Sequence, residues 1–155
     1  LLGNNAVARI DTRSSGFAAG FVQMKSRGEG FATKEDYINQ IKINLGGIVA
    51  EELFVGNISD GSASDLMRVR KIAEKMVTNF GFENISDIAN VLFSSEFGGT
   101  DKTRNIVFEK AKKIIDECEV DVRSILENER DVHELIVKEL QTKPLLLSDD
   151  LAHIM

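Results

Sequence analysis

Several residue types are scarce in this chain of 155 residues, and each scarcity excludes a class of structure. The single cysteine, Cys118, excludes an internal disulfide and the paired spacing of a zinc finger. The single proline, Pro144, leaves long helices uninterrupted elsewhere. Acidic residues outnumber basic ones by 25 to 19, and this balance argues against a nucleic-acid-binding surface. No apolar run approaches the roughly 18 residues of a membrane span, so we expect this chain to be soluble.

The apolar residues, 43% of the chain, are sufficient for a packed core, and their spacing is mostly helical. Thr33 and Asp36 predict a capping box at the start of the first helix. Apolar stretches within residues 6–24 predict a small antiparallel strand pair. We therefore expect a mainly α fold (α+β) with a small N-terminal β-hairpin or sheet and a helical bundle. The predicted helices cover residues 34–54, 63–80, 101–129 and 131–141, and Ser148 caps a last short turn at 149–155.

The segment from Gly61 to Leu66 leads directly into the second predicted helix and carries an acidic residue, Asp65. Two interpretations of Asp65 are open. Ser62 followed by Asp65 three residues later resembles a capping box, and the helix dipole favours an acidic residue in the first turn. Alternatively, Asp65 is a carboxylate that binds a metal or a substrate. The spacing by itself favours the capping box.

A second candidate is the pair Glu51 and Glu52, which follows Gly46 and Gly47 on the first predicted helix. Adjacent helical residues point about 100° apart, so one carboxylate can face inward while the other faces solvent. An inward glutamate could orient a nearby site, whereas an exposed pair at a helix end is the commoner arrangement. Glycines inside a helix cost about 1 kcal/mol each, so the pair predicts close approach of another backbone or a ligand.

The remaining residues that often carry chemistry are isolated. Cys118 lies in the apolar stripe of the third helix, which predicts a buried small side chain and not a nucleophile. His133 and His153 are on different elements and form no H-x-x-x-H pair, and we expect both to serve in surface or helix-end packing. The chain contains no glycine-rich phosphate loop.

Three short segments match the motifs of one known family. They read G-G-I-V-A-E-E at 46–52, G-S-A-S-D-L at 61–66 and A-E-K-M-V-T-N-F-G-F at 73–82, in order over about 37 residues. They resemble G-G-x-x-A-E-E, G-A-S-N-D-L and R-M-V-T-x-[YW]-G of the FtsH peptidase domain, which belongs to membrane-anchored, ATP-dependent zinc metallopeptidases. The resemblance covers nearly the whole chain, since 17–21 is similar to the family's A-L-G strand and 147–155 to its closing helix.

The resemblance implies a role for Asp65. In the FtsH family, two histidines of an H-E-x-x-H helix and the aspartate of the S-N-D-L motif hold zinc, and the helix glutamate is the general base. Asp65 matches that aspartate, so it is implied as the third ligand, while Glu51 and Glu52 are candidates for orienting the ligands. This chain has no H-E-x-x-H motif, so we expect the catalytic residues upstream of Leu1 and this chain alone to be inactive.

The resemblance also implies the organisation of the intact protein. One peptidase domain, truncated at its N-terminus, would comprise strands and a loop (1–32), the zinc-ligand region (33–100) and C-terminal helices (101–155). The intact protein would be a homohexamer that degrades unfolded or membrane proteins at the cytoplasmic face of a membrane. ATP, Mg²⁺ and the membrane anchor would belong to upstream segments. Extended substrate would add to an edge strand formed by Ala18, Ala19, Gly20, Phe21 and Val22.

Several positions depart from the family pattern. Ser64 stands where the family has asparagine, and Ile48 stands where it has the arginine after the glycine pair. These departures keep open an alternative from another functional class: a non-catalytic pseudo-peptidase that serves as an assembly or adaptor domain.

Overall fold

The computed structural model of the chain describes residues 7–13, 20–24, 31–80 and 101–154. The mainly α class with a small β part is confirmed. None of the helices among the described residues is both long enough and apolar enough to cross a membrane. A π-helical turn (Glu51–Val55) follows the first helix, and a 3-10 turn (Asp60–Ser62) precedes the second. The strands are β1 (Val7–Asp11), β2 (Phe21–Met24) and β3 (Leu145–Leu147), and the α-helices are α1 (Lys34–Ala50), α2 (Ala63–Thr78), α3 (Asp101–Asn128), α4 (Arg130–Thr142) and α5 (Ser148–Ile154).

One of two compact units, residues 1–31 with 127–155, contains a three-stranded antiparallel sheet in the order β2-β1-β3. The sequence predicts the β1–β2 pair but not β3, because three leucines after Pro144 are too short a run to show a strand period. In the sheet Ile10 lies opposite Val22 on one side and Leu146 on the other. Helix α5 packs on β1 and β3, and Leu146 and Leu151 are buried there.

Two local features involve Asp11, the last residue of β1. A Cβ atom at Gly20 would lie 2.9 Å from the main-chain oxygen of Asp11, so a side chain at this point of the chain would collide with β1. Asp11 is itself buried, and its carboxylate accepts hydrogen bonds from the main-chain N–H of Arg13 and from the Arg13 guanidinium at 2.6 and 2.8 Å. The guanidinium therefore supplies the charge that a buried carboxylate requires.

The second unit, residues 32–126, begins with the capping box that the sequence predicts. The Thr33 hydroxyl accepts the N–H of Asp36, and the Asp36 carboxylate accepts the N–H of Thr33 at 2.7 Å. The predicted helix 34–54 is instead an α-helix to Ala50 followed by the π-helical turn. Gly56 ends this turn at φ 80°, a left-handed conformation that glycine adopts without a steric penalty.

The core of this unit is a single seam between α1, α2 and α3. Because each helix contributes residues at helical spacing, the observed seam matches the predicted apolar stripes. Helices α1 and α3 are also joined by an ion pair between Lys42 and Asp121 at 2.8 Å. The buried residues are Ile41, Leu45, Val49, Val69, Ala73, Met76, Val77, Ala111, Ile114, Cys118 and Val122.

Met76 and Met67 offer a matched test of this core, since both lie on α2 and their side chains are identical. Met76 is 0% exposed and Met67 is 73% exposed. We expect Met76→Ala to lower the free energy of unfolding by about 2–5 kcal/mol through the cavity it leaves, and Met67→Ala to change it by about 0.5 kcal/mol or less. Urea unfolding followed by circular dichroism measures both. Equal effects of the two substitutions would contradict the position of the core.

The Asp11–Arg13 pair predicts a specific acid sensitivity. Hydrogen bonds from Arg13 lower the pKa of Asp11 to about 2. Since the pKa of an aspartate in an unfolded chain is about 3.9, the unfolded state takes up the proton first, and stability falls as the pH drops from about 4 to about 2. Thermal unfolding at stepped pH should show a shallower decline for Asp11→Asn than for the wild type across this window. Parallel declines would exclude Asp11 as a contributor.

Candidate functional site

Asp65 lies half-buried in the first turn of α2. The interpretation of Ser62 and Asp65 as a capping box is wrong. Ser62 has helical backbone angles (φ −75°, ψ −9°) and makes no side-chain cap, because the 3-10 turn runs directly into α2. Its hydroxyl donates instead to the main-chain oxygen of Ser59 at 2.9 Å. The capping box therefore does not explain the acid at position 65, and the helix dipole remains its structural explanation.

The Asp65 carboxylate is available for a ligand. No hydrogen bond or ion pair within the described part of the chain uses it. It lies at the end of α2 where the helix dipole is positive, and a carboxylate oxygen is a common zinc ligand. The same described ranges contain no group of three His, Cys, Asp or Glu side chains placed to hold a metal ion. Within these ranges Asp65 is a single available carboxylate, and its role as a metal ligand stays a prediction.

Glu51 and Glu52 are both engaged in contacts, but with different parts of the unit. Glu51 is half-buried, and its carboxylate accepts the N–H of Ser59 at 2.8 Å and the Ser59 hydroxyl at 3.0 Å. Glu52 is more exposed and pairs with the Arg123 guanidinium of α3 at 2.6 Å. The two adjacent carboxylates therefore point to separate partners, as the 100° spacing predicts. Their role in orienting metal ligands stays a prediction.

Sequence reasoning missed Ser59 and Arg123, the partners of the two glutamates. Ser59 lies in a loop without a recognisable motif, and only the side-chain contact identifies it. Arg123 is 71 residues from Glu52 in the chain, and a pair at that separation leaves no local pattern. Arg123 also contacts Glu119 one helical turn away at 3.2 Å, which is the only part of this cluster that i,i+4 spacing indicates.

The other singled-out residues are structural or stay untested. Gly46 and Gly47 have no described atom within 4 Å of a Cβ built on them, so no approach of another backbone is seen among the described residues. Cys118 is 2% exposed, and burial raises the pKa of its thiol to about 11, which confirms it as a buried small side chain and disfavours a thiolate. His153 lies at the end of α5, where its Nδ1 is 2.7 Å from the main-chain oxygen of Asp149.

Among the described strands, β2 lies at an edge of the sheet, since β1 is its one partner there. An edge strand presents main-chain N–H and C=O groups that an extended peptide can pair with. Of the predicted substrate strand, Phe21 and Val22 belong to β2 and Gly20 precedes it, and Val22 is 56% exposed. Ala18 and Ala19 lie outside the described residues.

The chain is similar in sequence to a known protein family and to several of its characterised members. A family model described as peptidase family M41 matches residues 3–154. The ATP-dependent zinc metalloprotease FtsH of Rhodothermus marinus is 30% identical over 96% of this chain and 23% of the relative. For the FtsH of Bacillus subtilis these values are 30%, 96% and 25%, and for FtsH 2 of a Thermoanaerobacter species they are 33%, 92% and 28%. The chain thus spans about a quarter of the length of these relatives.

Proposed function

Because this chain belongs to peptidase family M41, we propose that it is most of the peptidase domain of a longer zinc metalloendopeptidase and that Asp65 is its metal ligand. The observation that carries the proposal is the Asp65 carboxylate, which is half-buried at the start of α2 and unused by any described residue. A carboxylate in such a place, with no structural partner, is suited to binding a cation.

Each part of the proposed site has a separate task. Asp65 supplies one anionic oxygen ligand on a rigid helix, and two histidines of an H-E-x-x-H helix outside this chain complete the protein ligands. Zinc, when bound, acidifies a water molecule and polarises the scissile carbonyl. Strand β2 holds an extended substrate by main-chain hydrogen bonds at its free edge, so recognition depends little on the substrate's side chains.

The intact protein, on this proposal, uses ATP to deliver unfolded or membrane proteins to the peptidase site. The support is the likeness to relatives named ATP-dependent zinc metalloproteases, which are about four times as long as this chain. ATP and Mg²⁺ would bind a domain upstream of this one, and upstream segments would attach a homohexamer to the cytoplasmic face of a membrane.

Substitution of Asp65 in the intact protein tests the assignment. We expect Asp65→Ala to abolish casein proteolysis while ATP hydrolysis continues, because the peptidase site loses a ligand and the ATPase site does not. Asp60→Ala is the matched control, since it removes an exposed acid from the adjacent 3-10 turn and should leave proteolysis within about twofold of the wild type.

The other outcomes are equally informative. Proteolysis retained in Asp65→Ala would exclude Asp65 as an essential ligand. Loss of both activities would point to damaged assembly instead of a damaged metal site. A wild-type protein that hydrolyses ATP but cleaves no unfolded protein would favour the pseudo-peptidase alternative, for which the altered S-A-S-D segment is the sequence basis.

A further inference from the structure

A bidentate hydrogen-bonded contact, here called the Glu51–Ser59 lock, holds the loop between the π-helical turn and α2. One carboxylate oxygen of Glu51 accepts the Ser59 N–H at 2.8 Å, and the other accepts the Ser59 hydroxyl at 3.0 Å. The main-chain oxygen of Glu51 also accepts the N–H of Gly56 at 3.0 Å. One residue therefore fixes both ends of the loop 56–59 by three hydrogen bonds.

Ser59 is in turn connected to the first turn of α2. Its backbone is extended (φ −89°, ψ 164°), and the 3-10 turn that follows it continues into α2 without a break. The Ser62 hydroxyl donates to the Ser59 main-chain oxygen, and the N–H of Ala63 bonds to the main-chain oxygen of Asp60. Ser59 is thereby joined by one continuous helical segment to Asp65, six residues further on.

Gly61 lies beside the lock. A Cβ atom at this position would lie 3.3 Å from the Ser59 hydroxyl oxygen, tighter than ordinary van der Waals contact. A side chain at position 61 would therefore press on the Ser59 hydroxyl, and glycine leaves room for the contact between Ser59 and Glu51.

We propose that Glu51 is a positioning residue, which acts through Ser59 to hold the Asp65 carboxylate in the orientation that metal binding requires. This inference rests on the proposed function, because the role of Asp65 is proposed there. Groups that orient metal ligands typically change metal affinity by about 10–100-fold when they are lost. Glu74 of α2 is also a glutamate engaged by one partner, Arg70 at 2.8 Å, and has no contact with the loop, so it provides a matched control.

The lock itself is tested by amide hydrogen exchange on the 155-residue chain. We expect Glu51→Gln to speed exchange of the Ser59 amide by about tenfold or more, since a hydrogen bond to a charged acceptor is weakened. Glu74→Gln should leave this amide unchanged. Circular dichroism shows whether each variant keeps its helices.

The metal-binding consequence is tested on the intact peptidase by competition between the protein and a zinc chelator. We expect Glu51→Gln to weaken zinc binding by about tenfold or more, and Ser59→Ala to weaken it in the same direction. Ser59→Ala removes the hydroxyl contact and leaves the Glu51 carboxylate in place, so a shared effect requires action through the loop. Glu74→Gln should leave zinc affinity unchanged.

Three results would overturn the proposal. These are an unchanged exchange rate in Glu51→Gln, an unchanged zinc affinity in Glu51→Gln, and a loss of affinity in Glu51→Gln that Ser59→Ala does not share. The third result would mean that Glu51 acts on the metal ligands directly. Asp65→Ala separates this failure from failure of the proposed function: unchanged zinc affinity in Asp65→Ala would refute the metal assignment itself.

Discussion

The packing of α1 against α2 is the constraint on which the candidate site depends. Ile41, Leu45 and Val49 of α1 are buried in the same core as four residues of α2, and burial of such side chains contributes roughly 1.5–3 kcal/mol each. Only residues 51–62 connect the two helices, so the packed seam fixes both ends of a short connection. Glu51 opens this connection in the π-helical turn, and Asp65 follows its end in the first turn of α2.

Several acids around this seam have a partner, whereas the half-buried Asp65 has none among the described residues. Glu52 pairs with Arg123, Asp121 pairs with Lys42, and Glu51 accepts hydrogen bonds from Ser59. Asp65 has no such partner among the described residues, although it is half-buried. A half-buried carboxylate is more costly to leave unpaired than an exposed one, so its availability is informative about ligand binding.

Much of the fold follows from local patterns in the sequence. The Thr33–Asp36 capping box and the helical spacing of Ile41, Leu45 and Val49 predict α1, and its start is observed where they place it. Strand β3 could not be predicted in this way, because its only pattern is three leucines, and it forms by pairing with β1 across most of the chain. The same limit applies to the pair Glu52–Arg123, which only tertiary packing brings together.

The candidate site likewise contains a residue that the sequence identifies and a residue that only the structure identifies. Asp65 was identified by its place in a motif similar to S-N-D-L, not by its spacing, which favoured a capping box that does not form. Ser59 carries no motif, and its importance is visible only in its two contacts with Glu51. Local rules thus predict elements and their boundaries, whereas the links between elements depend on packing that no short segment encodes.

The most direct test of the metal assignment is anomalous diffraction at the zinc absorption edge from crystals of the intact peptidase. We expect a zinc peak about 2.0–2.2 Å from a carboxylate oxygen of Asp65, the usual distance for this ligand. A zinc ion held by other residues, with the Asp65 carboxylate outside its coordination sphere, would contradict the assignment.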